Sequence, residues 1–185
     1  HEFGTTSEQL AEVAVAARAW AGLNAAATHR EPLSVSDVLA SPMISDPLHL
    51  LDSCLVTDGA GAIVMTTAEH ARALGVQPIY VRGFGESHTH WSIANMPDLA
   101  WHTAAERSGR DALRMAGVGL NAIDLVELYD SFTITVLMTL EALGFCGRGE
   151  SGGFVAGSRI APGGSFPMNT NGGGLSYAHP GMYGI

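Results

Sequence analysis

The segment that ends at Gly181 holds the residues best suited to chemistry: Asn169, the three consecutive glycines 172–174, and His179 followed by Pro180. Consecutive glycines let a backbone approach a ligand closely and can present amide groups to an anion. Taken alone, the triple glycine favours a flexible or tightly turned loop. His179 lies at a fixed distance from Asn169 and is followed by the stiff Pro180 and the permissive Gly181, which favours a role in proton transfer.

A second group of polar residues, Tyr129-Asp130-Ser131-Phe132, lies between a predicted strand and a predicted helix. Such junctions often carry active-site residues in α/β proteins, because strand ends project side chains beside helix amino termini. Two other roles fit the same residues. Asp130 or Ser131 is a suitable cap for the following helix, and Tyr129 suits a core position in which its hydroxyl is hydrogen bonded.

A framework of helices and strands must bring these two groups together. Apolar residues recur with helical spacing after the hydroxyl residues Thr5 and Thr6, which predicts a capped helix that stops near Asn24. Further helices are predicted in 32–40, 67–74, 98–116 and 133–143, and strands in 58–65, 78–83 and 123–128. This alternation of strands and helices predicts an α/β fold with a mixed or parallel sheet.

Composition excludes several classes of protein. The net charge is -9 and all nine basic residues are arginines, which argues against a nucleic-acid-binding protein or a polybasic membrane anchor. Apolar runs are interrupted before they reach the ~20 residues of a membrane span.

Hydrophobic residues reach 46% and charged residues only 15%, so we expect a partner subunit or further chain to cover apolar surface. Cys54 and Cys146 lack metal-ligand spacing, which predicts free thiols and a cytoplasmic location.

Three further patterns bear on metal, phosphate and dinucleotide binding. The pair His88 and His90 has no third ligand at a suitable spacing, so no metal site is predicted and a substrate-facing loop is the better interpretation. Arg107, Arg110 and Arg114 could contact phosphates, but their spacing is also that of a solvated helix face. No Gly-x-Gly-x-x-Gly motif joins a strand to a helix, which argues against a dinucleotide-binding domain.

On these motifs the sequence resembles the thiolase superfamily, in its sterol-carrier and lipid-transfer branch. The branch's Asn-x-x-Gly-Gly-x-x-x-x-x-His-Pro motif is matched at every spacing from Asn169 to Pro180, although the final glycine arrives one position early, at Gly181. Residues 129–132 occupy the place of its His-Asp-Cys-Phe motif, with Tyr129 for His and Ser131 for Cys. The stretches 53–62 and 141–146 also match, so the resemblance covers essentially the whole chain, and roughly half of a thiolase subunit.

The resemblance implies a thiolase-like α/β fold in which residues 1–75 end an N-terminal domain and residues 76–185 begin a C-terminal one. It implies that His179 matches the histidine that activates the nucleophile and helps to bind the thioester oxygen, and that Tyr129 takes the place of a residue lining an oxyanion hole. For a cleavage without a cysteine nucleophile, we expect His179 to have the oxyanion or acid role and Tyr129 the proton-transfer role. Tyr177 or Tyr183 offers a second phenol for catalysis. The residues expected to bind the substrate or its oxyanion are Asp130, Ser131, Asn169, Gly172, Gly173 and Gly181.

The resemblance also implies a reaction. Because it has Tyr at position 129, the sequence resembles the thiolase-related aldolases of steroid side-chain degradation, which need no cysteine nucleophile. We therefore expect an enzyme that makes or breaks a carbon–carbon bond in an acyl-CoA thioester, with retro-aldol cleavage of a β-hydroxyacyl-CoA of the steroid side-chain type favoured. Oxyanion donors stabilise the enolate that leaves. Two alternatives stay open: a thiolytic acetyl-CoA or 3-ketoacyl-CoA acyltransferase, and a non-catalytic thiolase-like partner subunit.

The same resemblance supplies expectations about ligands and partners. No bound cofactor is expected, and coenzyme A enters only as part of the substrate. A homodimer is expected, together with a CoA-binding partner that has an OB-fold and a zinc ribbon.

Overall fold

Helix α1 (Ser7–Leu23) is the element against which much of the chain packs. In the computed structural model, which describes residues 2–101 and 103–181, this helix begins with a capping box. The amide of Gln9 donates to Thr6 Oγ1 (3.4 Å), and the amide of Thr6 donates to Gln9 Oε1 (3.0 Å). Its buried face carries Leu10, Val13 and a series of alanines. The predicted capped helix is confirmed, with its end at the predicted position.

The other predicted helices are also present, with small changes at their ends. They are α2 (Val35–Ala40), α3 (Ala68–Ala73), α4 (Thr103–Ala116) and α5 (Thr133–Leu143). A short helix that was not predicted, α6 (Ser151–Val155), lies in the glycine-rich region. Single 3-10 turns form at Leu50–Asp52, Ile93–Asn95 and Leu120–Ala122, and a π-helical turn forms at Gly173–Tyr177.

The strand predictions are wrong for this chain taken alone. Strands β1 (Met43–Ser45) and β2 (Leu48–His49) form a small antiparallel hairpin. Among the described residues, 58–65 and 78–83 form no ladder, and 123–128 contributes only a parallel bridge from Val126 to Met168. A strand exists only where a neighbour pairs with its backbone hydrogen-bonding groups. Within the described part of the chain, 58–65 and 78–83 have no such neighbour, and 123–128 has one only around Val126. Their apolar side chains are exposed: Val64 is 94% accessible and Ile79 98%.

The core lies between α1, α5 and the π-helical turn. Val136, Leu137 and Leu140 of α5 are fully buried and pack with the apolar face of α1. Ile160, Met168 and Leu175 complete the cluster from the glycine-rich region. The region that carries His179 is therefore attached to the best-packed part of the molecule.

Two smaller observations bear on the sequence-based expectations. Cys54 and Cys146 are both free and partly buried, and burial raises the pKa of Cys146 to about 11. No helix in the described part of the chain combines the length and the apolar character needed to cross a membrane.

Candidate active site

Two side chains that lie 50 residues apart in the sequence meet at the candidate site. The hydroxyl of Tyr129 is 3.0 Å from Nε2 of His179, within hydrogen-bond distance. Their ring centroids are 5.4 Å apart, with 34° between the ring planes. Tyr129 is 46% exposed, so the phenol reaches the surface of the described chain. The structure thus brings together the two residues that the sequence singled out for proton transfer.

Asp130 connects the strand-end segment to the loop that carries the glycines. Its carboxylate is fully buried, and it accepts hydrogen bonds from the amides of Gly174 (2.7 Å) and Leu175 (3.2 Å). Burial raises the pKa of Asp130, while those backbone hydrogen bonds oppose the rise. Both carboxylate oxygens are therefore occupied by the protein's own backbone, whereas the sequence suggested a substrate contact.

Asn169 makes the second connection between the same two segments. It is almost fully buried and adopts a left-handed conformation with φ 49°. Its side-chain amide donates to the carbonyl of Leu128 (3.0 Å), and its side-chain oxygen accepts from the amide of Leu128 (2.7 Å). The backbone amide of Asn169 donates to the carbonyl of Val126 (3.0 Å). Asn169 thus holds the residues just before Tyr129.

The consecutive glycines are required because three other groups occupy the space that side chains would need. Gly172 has φ 107°, and a Cβ there would lie 2.7 Å from Cβ of Ala21 in α1. Gly173 has φ 61° and lies against the carboxylate of Asp130. A Cβ on Gly174 would lie 2.8 Å from Cδ2 of His179 and 2.9 Å from Oδ1 of Asp130. These distances are shorter than ordinary carbon contacts. The turn is therefore packed tightly rather than flexible.

The chemistry of Tyr129 follows from its surroundings. Burial raises the pKa of Tyr129, the charges of Cys54 and Asp130 raise it further, and a hydrogen bond with Ser131 opposes them. The phenol therefore stays protonated at neutral pH and is a hydrogen-bond donor. Ser131 Oγ also lies 3.1 Å from Thr135 Oγ1 in α5.

Comparison with known proteins identifies the family of the chain. Residues 85–185 match the family described as thiolase C-terminal domain-like. The chain belongs to this family. The resemblance drawn from the sequence and the thiolase-like fold class are confirmed.

Three relatives illustrate how the thiolase-like chain is similar to known proteins. It is 38% identical to the 17-hydroxy-3-oxo-4-pregnene-20-carboxyl-CoA lyase of Mycobacterium tuberculosis, over 100% of this chain and 50% of the lyase. It is 34% identical to an acetyl-CoA acetyltransferase of Methanothermobacter thermautotrophicus, over 97% of this chain and 47% of that protein. The solved Ltp2-ChsH2(DUF35) aldolase superimposes with a TM-score of 0.91 at 34% identity, over 97% of this chain and 48% of the solved chain. The chain spans about half the length of the curated relatives it matches.

The sequence did not predict the residues of the thiolase-like chain that bind the segment from Gly174 to His179 by hydrogen bonds. The amide of His179 donates to Thr57 Oγ1 (2.8 Å), and the amide of Leu55 donates to the carbonyl of Gly174 (2.9 Å). Arg18 is buried in α1, and its Nε donates to Ser176 Oγ (2.9 Å). An arginine among the alanines of an apolar helix face was a signal that could have identified Arg18. Nothing in the local sequence marks Thr57.

The remaining predicted residues have other positions. The carbonyl of Tyr177 accepts hydrogen bonds from the hydroxyl (2.6 Å) and the amide (3.1 Å) of Thr28, and the Tyr177 side chain is half-buried. Gly181 is exposed, with φ 66°. Tyr183 lies outside the described residues.

The other patterns weighed from the sequence form surface contacts. His88 Nε2 lies 2.8 Å from Glu86 Oε1, and His90 Nδ1 lies 2.7 Å from Thr89 Oγ1, all on exposed side chains. Within residues 2–101 and 103–181, no three His, Cys, Asp or Glu side chains form a group that could hold a metal ion. Arg110 and Arg114 lie 3.9 and 3.1 Å from carboxylates of their own helix. These helix pairs are typical of a solvated face.

Proposed function

We propose that this chain is part of an enzyme that cleaves a carbon–carbon bond in an acyl-CoA thioester, by retro-aldol cleavage of a β-hydroxyacyl-CoA of the steroid side-chain type. The observation that carries the proposal is the contact at hydrogen-bond distance between Tyr129 and His179, two residues that the resemblance to thiolases led us to expect in the active site. The similarity to a pregnene carboxyl-CoA lyase and to a solved aldolase supports the class of reaction.

In the proposed reaction the pair acts as a proton relay. The oxygen of Tyr129 accepts the proton of the substrate's β-hydroxyl while its own proton passes to Nε2 of His179. The carbon–carbon bond then breaks, its electrons form the enolate of the acyl-CoA, and the former hydroxyl carbon becomes a carbonyl. The imidazolium donates a hydrogen bond to the enolate oxygen and afterwards supplies the proton that the enolate needs. The pair as a whole therefore gains one proton and returns it.

The exposure and the pKa of Tyr129 support two parts of the proposed relay. Tyr129 is half-exposed, so a substrate oxygen can reach its hydroxyl from the surface, and His179 Nε2 lies within hydrogen-bond distance of that hydroxyl. The raised pKa of Tyr129 disfavours a free phenolate. In the relay, Tyr129 gives its own proton to the imidazole while it accepts the proton of the substrate, so no free phenolate forms. Tyr177 or Tyr183 offers a second phenol, and Ser131, Asn169, Gly172, Gly173 and Gly181 shape the pocket in this proposal.

Partners and ligands form the second part of the proposal. The aldolase Ltp2-ChsH2(DUF35) was solved with a partner, and this supports a partner subunit for the present protein. We expect that partner to have an OB-fold and a zinc ribbon and to bind CoA, and we expect the thiolase-like chain to dimerise. No resident cofactor is included, because CoA belongs to the substrate. The two free thiols support a cytoplasmic location.

Turnover of two substrates by the full-length protein, with its partner present, tests the proposal. We expect cleavage of a β-hydroxyacyl-CoA, with loss of at least about 100-fold in kcat for Tyr129→Phe and His179→Ala. Cleavage of a 3-ketoacyl-CoA by added CoA would instead support the thiolytic acyltransferase, which the similarity to an acetyl-CoA acetyltransferase favours as the second candidate. If neither variant changed either rate, the site assignment would be wrong. If neither substrate were turned over by the wild-type protein, a non-catalytic partner subunit would be the better description.

A further inference from the structure

We infer that Asp130 is a positioning residue whose buried carboxylate sets the distance between the phenol of Tyr129 and the imidazole of His179. This inference rests on the proposed function, because the Tyr129 and His179 pair is the reacting pair only if that function holds. It assigns Asp130 a role different from the substrate contact expected from the sequence.

Asp130 faces the interior of the described chain, at the turn that carries the glycines. Its side chain has no exposed surface, and its oxygens accept the amides of Gly174 and Leu175 at 2.7 and 3.2 Å. Tyr129, the preceding residue, is half-exposed. These two consecutive side chains therefore have different surroundings: Tyr129 reaches the surface, and Asp130 contacts the backbone of the turn.

The turn held by Asp130 also supports the imidazole of His179. Gly174 donates to the carboxylate and lies directly beside the ring, since a Cβ on Gly174 would stand 2.8 Å from Cδ2 of His179. The amide of Ala178 donates to the carbonyl of Gly173 (3.3 Å), and the amide of His179 donates to Thr57. The segment between these bonds is short, so a shift of the turn moves the ring relative to Tyr129.

A carboxylate suits this position better than any other polar side chain. Two separate backbone N–H groups point at it, and only a carboxylate offers an acceptor oxygen to each of them. An asparagine has nearly the same shape but one oxygen, so its NH2 group would face one of the amides as donor against donor. Asp130→Asn therefore changes the hydrogen bonding of the turn with almost no change in volume.

A matched control is available elsewhere in the core. Glu141 is also a buried carboxylate, and its Oε1 accepts the amide of Ser151 (3.2 Å) and the Ser151 hydroxyl (2.5 Å). It lies at the other end of α5 from Asp130 and supports α6. Glu141→Gln therefore tests the loss of a buried carboxylate without touching the pair.

The experiment measures the geometry and the rate separately on the full-length protein. The 15N chemical shift of His179 Nε2, assigned with His179→Gln, reports its hydrogen bond, and Tyr129→Phe defines the shift without a phenol partner. We expect Asp130→Asn to move the Nε2 shift toward that of Tyr129→Phe and Glu141→Gln to leave it at the wild-type value. We expect kcat of Asp130→Asn to fall about 10- to 100-fold with KM within about threefold, because misplacement by an ångström costs about that much.

The outcomes distinguish this inference from the proposed function. A folded Asp130→Asn with the wild-type Nε2 shift and the wild-type kcat would overturn the inference. If no acyl-CoA substrate is turned over, the proposed function fails, and the NMR comparison still decides whether Asp130 positions His179. If Asp130→Asn does not fold, Asp130→Glu keeps the charge and both acceptors but is one methylene longer. An unchanged Nε2 shift in Asp130→Glu would then overturn the inference, and a displaced one would support it.

Discussion

Adding one methyl group to Gly174 should separate the two residues of the candidate site. Its backbone is not in the left-handed region, so alanine is tolerated there by the backbone and the effect comes from contacts alone. A Cβ would lie 2.8 Å from Cδ2 of His179 and 2.9 Å from Oδ1 of Asp130. Ordinary van der Waals contact begins near 3.4 Å, so the imidazole or the carboxylate must move by about 0.6 Å.

The size of the effect follows from this displacement. Tyr129 and His179 are 3.0 Å apart, and a shift of about 0.6 Å takes the pair beyond a normal hydrogen bond. A full ångström of misplacement costs about 100-fold in rate, so we expect kcat to fall about 10- to 30-fold. Overpacking of the buried turn should lower the free energy of unfolding by about 1 to 2 kcal/mol.

Gly153→Ala is the matched control for this substitution. Gly153 lies in α6, and no atom lies within 4 Å of a Cβ added there. We expect unchanged activity and a free energy of unfolding that is equal or higher by up to about 1 kcal/mol, because alanine favours a helix. The assays are initial rates of acyl-CoA cleavage and urea denaturation of the full-length variants. A Gly174→Ala protein as stable and as active as Gly153→Ala would refute the reasoning, since it would mean that the turn has room to spare.

Three further outcomes are expected. Asn169→Ala removes both side-chain hydrogen bonds to Leu128 and should lower the free energy of unfolding by about 2 kcal/mol in urea denaturation, whereas an unchanged midpoint would exclude a structural role for this clamp. Thr6→Ala removes the cap of α1 and should cost about 1 kcal/mol in the same assay, against no more than about 0.5 kcal/mol for the exposed Thr66→Ala. Because burial raises the pKa of the Cys146 thiol from its usual value of 9.0 to about 11, the folded state holds more protons than the unfolded state between these values. The free energy of unfolding should therefore fall as pH rises from 9 to 11, and Cys146→Ala should remove that part of the slope; equal slopes for both proteins would contradict burial as the cause.

Local signals were sufficient for most helices. Thr6 and Gln9 supply a capping box for α1, and Gly144, with φ 88°, ends α5 where the sequence predicted it. Each of these signals acts within a few residues of the helix end. The short α6 was missed because Gly152 and Gly153 have weak helix propensity, and its position depends on the contact from Glu141 to Ser151.

Strands could not be predicted in the same way. The apolar stretches 58–65 and 78–83 have the composition of strands, yet they form no ladder among the described residues. Strand pairing depends on a neighbour that is distant in the sequence, so composition indicates only that a segment suits a sheet. The exposure of Val64 and Ile79 is consistent with a chain that spans about half the length of its relatives.

The sequence by itself determined that Tyr129 and His179 were available for proton transfer, and it determined the family to which the chain belongs. Only the tertiary structure decided that the Tyr129 hydroxyl lies 3.0 Å from Nε2 of His179 and that the Asp130 carboxylate accepts hydrogen bonds from the glycine turn. It also revealed Thr57 and Arg18 as supports of that turn. The physical reason is that residue identity sets what a side chain can donate or accept, whereas its partner is set by chain segments that meet only after packing.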